Sequence, residues 1–187
     1  MAGKKRVGVL ALQGDFARHA EALERAGAEA VEVRTREGLD SVDALVVPGG
    51  ESTTMLKLID YEKLWEPLKA FGETKPVLGT CAGAILVAKH VTSPNQVSLS
   101  LMDLDVERNA YGRQLDSHIA QVELEGKPLE AVFIRAPIIR RVGPQAKVWA
   151  THGGDPVLVT EGRHMVATFH PELTCDPRVH EIFLRQV

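Results

Sequence analysis

The runs Arg6-Val7-Gly8-Val9-Leu10-Ala11-Leu12 and Asp43-Ala44-Leu45-Val46-Val47 are apolar without the polar alternation of a half-exposed strand, and each ends in a glycine turn. Strands of that composition are covered on both faces. Where they alternate with helical patterns they form a mostly parallel sheet with helices on both sides. After the first run Gln13-Gly14-Asp15 turns the chain, and Phe16, Ala20, Leu23 and Ala26 recur at helical spacing until Gly27 supplies a stop. Ala30-Val31-Glu32-Val33 reads as a second strand, and Met55 to Ile59 as a helix capped by Ser52, Thr53 or Thr54. Tyr61 to Phe71 reads as another helical piece, broken near Pro67, with Trp65 and Phe71 in the core.

Further along, Leu104 to Arg108 and Gln121 to Leu124 alternate apolar with polar residues, which predicts a small antiparallel addition to the main sheet. Leu129 to Ile134, Val148 to Thr151, Val157 to Val159 and Met165 to Phe169 read as further short strands, and Pro177 to Val187 as a closing helix. The 187 residues suit a single α/β domain, 1–187, with a substantial core. A net charge of −3 and few aromatic residues provide neither a basic field nor a stacking platform, so nucleic-acid binding is not expected. Val7 to Leu12 is too short for the core of a signal peptide, and no membrane span is expected, which points to the cytoplasm. Cys81 and Cys175 lack metal-ligand spacing, and a reducing compartment disfavours a disulfide between them.

The chemistry concentrates at Pro76-Val77-Leu78-Gly79-Thr80-Cys81-Ala82-Gly83-Ala84. An apolar strand end there meets the apolar run Ala84 to Lys89, read as a buried helix, through a G-x-C-x-G turn. That arrangement matches the nucleophile elbow, whose glycines permit a sharp bend and close helix packing. A helix start also offers unpaired N–H groups and a positive dipole end to a thiolate or an oxyanion. A small buried cysteine in a glycine-rich turn fits the same residues. Pro48-Gly49-Gly50-Glu51-Ser52-Thr53-Thr54 should lie at the same carboxyl edge of the sheet, either as part of one pocket or as a simple flexible turn. The last strand delivers His170-Pro171-Glu172; on extended backbone residues two apart share a side, so Glu172 can orient His170. Arg135, at the end of another strand, reads from that segment alone as an exposed charge rather than a site residue.

Taken together, Leu10 to Gly14, Pro48 to Thr54, Gly79 to Gly83, Val106 to Gln114, Phe133 to Pro137 and Phe169 to Thr174 closely resemble the glutaminase subunits of pyridoxal 5′-phosphate synthases, a branch of the class I glutamine amidotransferases. The resemblance spans nearly the whole chain and implies their three-layer α/β fold. It implies a Cys81, His170, Glu172 triad that hydrolyses L-glutamine to glutamate and ammonia through a thioester, without a bound cofactor or metal. Gly50 and Ala82 become the backbone donors of an oxyanion hole, and Gly50, Glu51, Ser52, Arg108, Ile134 and Arg135 the lining of the glutamine site. An ammonia-accepting synthase subunit is the implied partner, in a large hetero-oligomeric complex.

Three positions depart from the family pattern: Arg18, where glutamate is common, His118, where phenylalanine is usual, and Cys175, where an acidic residue is common. Arg18 and His19 fall in a region expected near the partner, whereas Cys175 reads as a tolerated surface or packing thiol. His90, His152, His164 and His180 belong to no motif and are assigned solvent or structural roles. A catalytically silent binding subunit, and a cysteine peptidase or glyoxalase-like chaperone on the same elbow, are the rival readings. The arginines Arg108 and Arg135 separate an amino-acid pocket from a peptidase cleft.

Overall fold

The computed structural model describes residues 3–110 and 117–187. Its first half contains β1 (Arg6–Leu10), α1 (Phe16–Arg25), β2 (Glu29–Val33), α2 (Arg36–Asp40), β3 (Ala44–Val47), α3 (Ser52–Tyr61), α4 (Trp65–Thr74), β4 (Val77–Thr80) and α5 (Ala82–Val87). There follow β5 (Ala88–Thr92), β6 (Met102–Glu107), β7 (His118–Leu124), β8 (Lys127–Phe133) and β9 (Ile138–Val142). The chain closes with β10 (Ala146–His152), β11 (Asp155–Glu161), β12 (His164–Ala167), a 3-10 turn (Pro171–Leu173) and α6 (Arg178–Leu184).

Seven strands form the main sheet in the order β10-β11-β12-β4-β3-β1-β2. From β12 to β2 every pairing is parallel, and β11 and β10 extend the sheet antiparallel. Alternate residues of the central strands serve two cores. Val7, Val9, Ala44, Val46 and Leu78 pack with α1, α6 and the β7–β8 hairpin, whereas Leu10, Leu45, Val47 and Val77 pack with α2 to α5 and a small sheet. Burial on both faces is why these strands lack polar alternation, and it yields the expected three layers.

Several elements differ from the sequence expectations. The antiparallel addition to the main sheet is β10–β11. The alternating strand β6 instead lies between β5 and β9 in a separate three-stranded sheet, and β7 pairs, among the described residues, only with β8. Alternation reports one buried face but not which sheet supplies the cover. The apolar run after Cys81 is helical only to Val87, and Ala88 already starts β5, because full burial hides the change of period. Pro67 does not break a helix: it lies in the first turn of α4, where backbone N–H groups have no intrahelical acceptor. The cap of α3 is Glu51 rather than Ser52, Thr53 or Thr54. The five-residue α2, capped by Thr35 Oγ1 accepting from Gly38 N–H at 3.2 Å, and β9 carry no periodic signal long enough to read. Tyr111 to Gln114, the end of the Val106 to Gln114 motif, lie outside the described residues.

Candidate active site

The adjacent parallel strands β1, β3, β4 and β12 end at one edge of the sheet, and each hands over to one wall of a pocket. Cys81, between β4 and α5, has φ 49° and ψ −109°, a conformation that an L residue keeps only when its surroundings enforce it. Its N–H donates to the Ala167 carbonyl at 2.8 Å, and its own carbonyl accepts from Ala84 N–H at 3.0 Å. A Cβ on Gly79 would stand 2.5 Å from the Gly83 carbonyl oxygen, and one on Gly83 would overlap the Val47 carbonyl. The glycines of the elbow are therefore dictated by the close approach of β3, β4 and α5. With only 6 residues α5 has a weak macrodipole, so what it offers an anion is the N–H at its very start, Ala82, which has no acceptor within the helix.

His170 is anchored by its N–H donating to the Val132 carbonyl at 2.8 Å. The chain does not stay extended beyond it, as expected from sequence, but enters the 3-10 turn opened by Pro171. That turn brings Glu172 back, and His170 Nδ1 donates to Glu172 Oε1 at 2.7 Å. Cys81, His170 and Glu172 are 6%, 7% and 3% exposed. Burial opposes charge on His170, but hydrogen bonding to Cys81 and Glu172, with their negative charges, outweighs it and pushes the imidazole up to about 10. Cys81 Sγ also lies 3.7 Å from the Ile134 carbonyl.

The Pro48-Gly49-Gly50 loop crosses directly over this pair. A Cβ on Gly49 would be 2.6 Å from His170 Cε1 and 3.2 Å from Cys81 Cβ, and Gly50 has φ +136°, a region that other residues rarely enter. The pocket, of about 320 Å³, is lined by Cys81, Ala82 and His170 and by all six residues expected around glutamine, Gly50, Glu51, Ser52, Arg108, Ile134 and Arg135. Those six are not equivalent. The Glu51 carboxylate caps α3, accepting from the N–H and hydroxyl groups of Thr53 and Thr54. Burial raises its pKa, but those bonds prevail and lower it to about 2. Ser52 Oγ donates to Gln96 Oε1 at 2.9 Å. The Arg108 side chain is 9% exposed and 3.8 Å from Glu51 Oε1, and its Nε has no partner among the described residues. Ile134 and Arg135 are exposed at the rim, Arg135 with φ 44°.

One position corrects the sequence reading. His19, expected near a docking surface, is 0% exposed and packed behind Glu172, with Nε2 3.2 Å from Glu172 Oε2. Only Arg18 faces solvent, beside Glu21 at 3.4 Å. His19 shares the helical stripe of Phe16, Ala20 and Leu23, a signal that could have placed it inside. Its neighbours Thr80 and His180, also 0% exposed, had no such signal. His118 stacks on Phe133 with centroids 4.9 Å apart and lies 3.2 Å from His152 through the two Nε2 atoms. Cys175 is exposed. Among the described residues no three His, Cys, Asp or Glu side chains gather as a metal site requires, and no helix is long and apolar enough to cross a membrane.

The layer order and sheet topology are those of a class I glutamine amidotransferase-like fold. A solved structure described as a glutamine amidotransferase superposes with TM-score 0.89 and 48% identity, covering 96% of this chain and 97% of that one. PurLQS from Thermotoga maritima shares the fold at TM-score 0.76 and 16% identity, covering 98% and 99%. The chain belongs to the SNO glutamine amidotransferase family, whose sequence model matches residues 9–187. Its relatives include pyridoxal 5′-phosphate synthase subunit PdxT of Solibacter usitatus (strain Ellin6076), 60% identical over 98% of this chain and 100% of the relative. The PdxT of Koribacter versatilis (strain Ellin345) is 52% identical over 97% and 95%.

Proposed function

We propose that residues 1–187 act as one glutaminase domain of a pyridoxal 5′-phosphate synthase, hydrolysing L-glutamine in the cytoplasm and passing ammonia to a synthase subunit. The observation that carries this reading is the buried constellation of Cys81, His170 and Glu172, in which Cys81 and His170 line a pocket shared with Arg108 and Glu172 stands behind His170. With Nδ1 engaged by Glu172, the other ring nitrogen of His170 serves Cys81. Cys81 Sγ gives its proton to His170 and attacks the side-chain amide carbon of glutamine. The oxyanion so formed is held by the N–H groups of Ala82 and Gly50. His170 then protonates the departing nitrogen, releasing ammonia and leaving a thioester. Water, deprotonated by His170, cleaves the thioester to glutamate and restores the thiol.

Arg108, buried and incompletely paired among the described residues, suits the substrate α-carboxylate, with Arg135 closing the rim. Glu51 serves the site by fixing the loop that carries Gly50, since its carboxylate is already occupied by the α3 cap. The deciding experiment is Cys81→Ala. It should abolish ammonia release from glutamine, while the assembled complex still makes pyridoxal 5′-phosphate when supplied with ammonium salt. Retained glutaminase activity would exclude Cys81 as the nucleophile.

A further inference from the structure

His19, Thr80 and His180 are each 0% exposed, none lines the pocket, and the hydrolysis as described uses none of them. They converge from α1, β4 and α6 on the triad carboxylate. His19 Nδ1 lies 3.1 Å from His180 Nε2, and His19 Nε2 lies 3.0 Å from Thr80 Oγ1 and 3.2 Å from Glu172 Oε2. Two imidazoles removed from water are a costly way to fill space that leucine or phenylalanine would fill.

Their protonation follows from the surroundings. Burial, then the charges of His180 and His170, hold His19 well below the ordinary histidine range, and burial with the charge of Arg25 lowers His180 to about 4. Each ring is neutral, with one N–H and one lone pair. A lone pair on His19 Nε2 would face the carboxylate, which only accepts, at 3.2 Å. The Nε2–H form removes that repulsion. Its hydrogen is directed at Thr80 Oγ1, and Glu172 Oε2 lies off that line without an in-line donor among the described residues, so the attraction is that of a carboxylate beside an N–H dipole. His19 Nδ1 must then accept from His180 Nε2–H, leaving His180 Nδ1 as a lone pair. That atom is the one in the pair without a partner among the described residues. The opposite arrangement would bury an unpaired N–H there, and orphaned donors are the rarer defect.

We propose that His19 is a positioning residue: its Nε2–H steadies the second oxygen of Glu172 so that Oε1 stays in line with His170 Nδ1, while His180 and Thr80 hold His19 in that tautomer. The proposal rests on the assignment of Glu172 to the triad. The test measures kcat and KM for glutamine, in complex with the synthase, for wild type, His19→Leu, His19→Gln, Glu172→Gln and His19→Leu/Glu172→Gln. His19→Leu should lower kcat by about 2- to 10-fold, the scale of a neutral polar contact rather than of an in-line hydrogen bond to a charge, with KM changed by less than about twofold. His19→Gln, whose amide N–H reaches the same region, should recover most of the loss. In the Glu172→Gln background His19→Leu should cost almost nothing more, because the group it steadies is already gone.

Unchanged kcat in His19→Leu overturns the proposal, as do equal losses in both backgrounds without recovery by glutamine, the pattern of a residue that only supports packing. Full turnover in Glu172→Gln would end the triad assignment and this proposal with it, whereas an impaired Glu172→Gln beside an active His19→Leu ends this proposal alone. If His19→Leu does not fold, imidazole 15N NMR of the wild-type protein decides. His19 protonated at Nε2 alone supports the role, and an Nδ1–H tautomer or an imidazolium overturns it.

Discussion

At the scale of single residues, the 2.7 Å contact between His170 Nδ1 and Glu172 Oε1 is shielded from water on almost every side. A carboxylate there does two jobs. In the proposed mechanism it selects the imidazole tautomer that leaves the other nitrogen free for Cys81, and it stabilises the imidazolium formed when the thiol proton moves. Glutamine has the same shape but no charge, and it can present an amide N–H that His170 Nδ1–H cannot use. Glu172→Gln should therefore keep the fold, as judged by an unchanged circular dichroism spectrum, while kcat for ammonia release falls by as much as about 10⁴-fold. Undiminished turnover would remove Glu172 from the mechanism.

At the scale of elements, the site depends on how closely β3, β4 and α5 approach one another. Gly83 packs its backbone against the Val47 carbonyl, and Pro48 O would be 3.1 Å from any added Cβ. Gly83→Ala forces β3 and the elbow apart, moving Cys81 relative to Gly49 and His170. Overpacking of this kind costs about 1–3 kcal/mol, or a Tm lower by several degrees in calorimetry. Glutamine hydrolysis should fall much further than stability, because a small displacement of the nucleophile is enough to lose alignment. A Gly83→Ala protein with wild-type turnover would show that the elbow tolerates separation from β3. The same element-level logic explains Glu51, whose carboxylate is committed to the first turn of α3 and so holds the Gly50 loop to a helix end.

At the scale of the whole molecule, buried histidines set the pH dependence of stability. His164 is lowered to about 4 by burial and then by the Arg163 charge, and His19 and His180 are lowered as well. Their folded values lie below the unfolded 6.5, so the unfolded chain takes up protons first. Stability should fall as pH drops from 6.5 toward 4, by at most about 1.4 kcal/mol per pH unit for each histidine. Glu51, lowered to about 2, adds its loss only as pH falls through 4.5 toward 2. His170, raised to about 10, acts in the opposite sense: its contribution is present below 6.5 and is lost as pH rises toward 10. Denaturant midpoints across pH 4 to 10 should accordingly peak near neutrality, and a midpoint that stays level from 6.5 to 5 would contradict the neutral buried histidines. Partner binding is a second property of the whole. The paired glycines Gly49 and Gly50 let the loop that carries the proposed oxyanion donor change orientation at little steric cost, and a synthase subunit that aligns the Gly50 N–H would raise kcat far more than glutamine affinity. Equal turnover of the isolated chain and the complex would end that proposal, and a change in affinity alone would move its cause into the binding pocket.

Local pattern determined much of this protein. The unbroken apolar strands, the glycine stops and the G-x-C-x-G elbow are short-range consequences of burial on two faces and of sterics, so the α/β class, the three layers and the edge carrying Cys81 could be read from the chain. The same holds for the candidate residues His170 and Glu172 at a strand end, whereas Gly50 and Arg108 enter the candidate site only through the family resemblance. Tertiary structure alone decided that β10–β11 rather than β6 and β7 extends the main sheet, because alternation marks a buried face without naming its cover. It decided that a 3-10 turn, not strand alternation, joins His170 to Glu172, and that Glu51 is spent on a helix cap. It also brought His19, Thr80 and His180 together from distant parts of the chain. Which polar side chains meet in a core depends on strand order and helix docking, and those follow from burying both faces of the sheet at once, a condition that no local stretch of sequence contains.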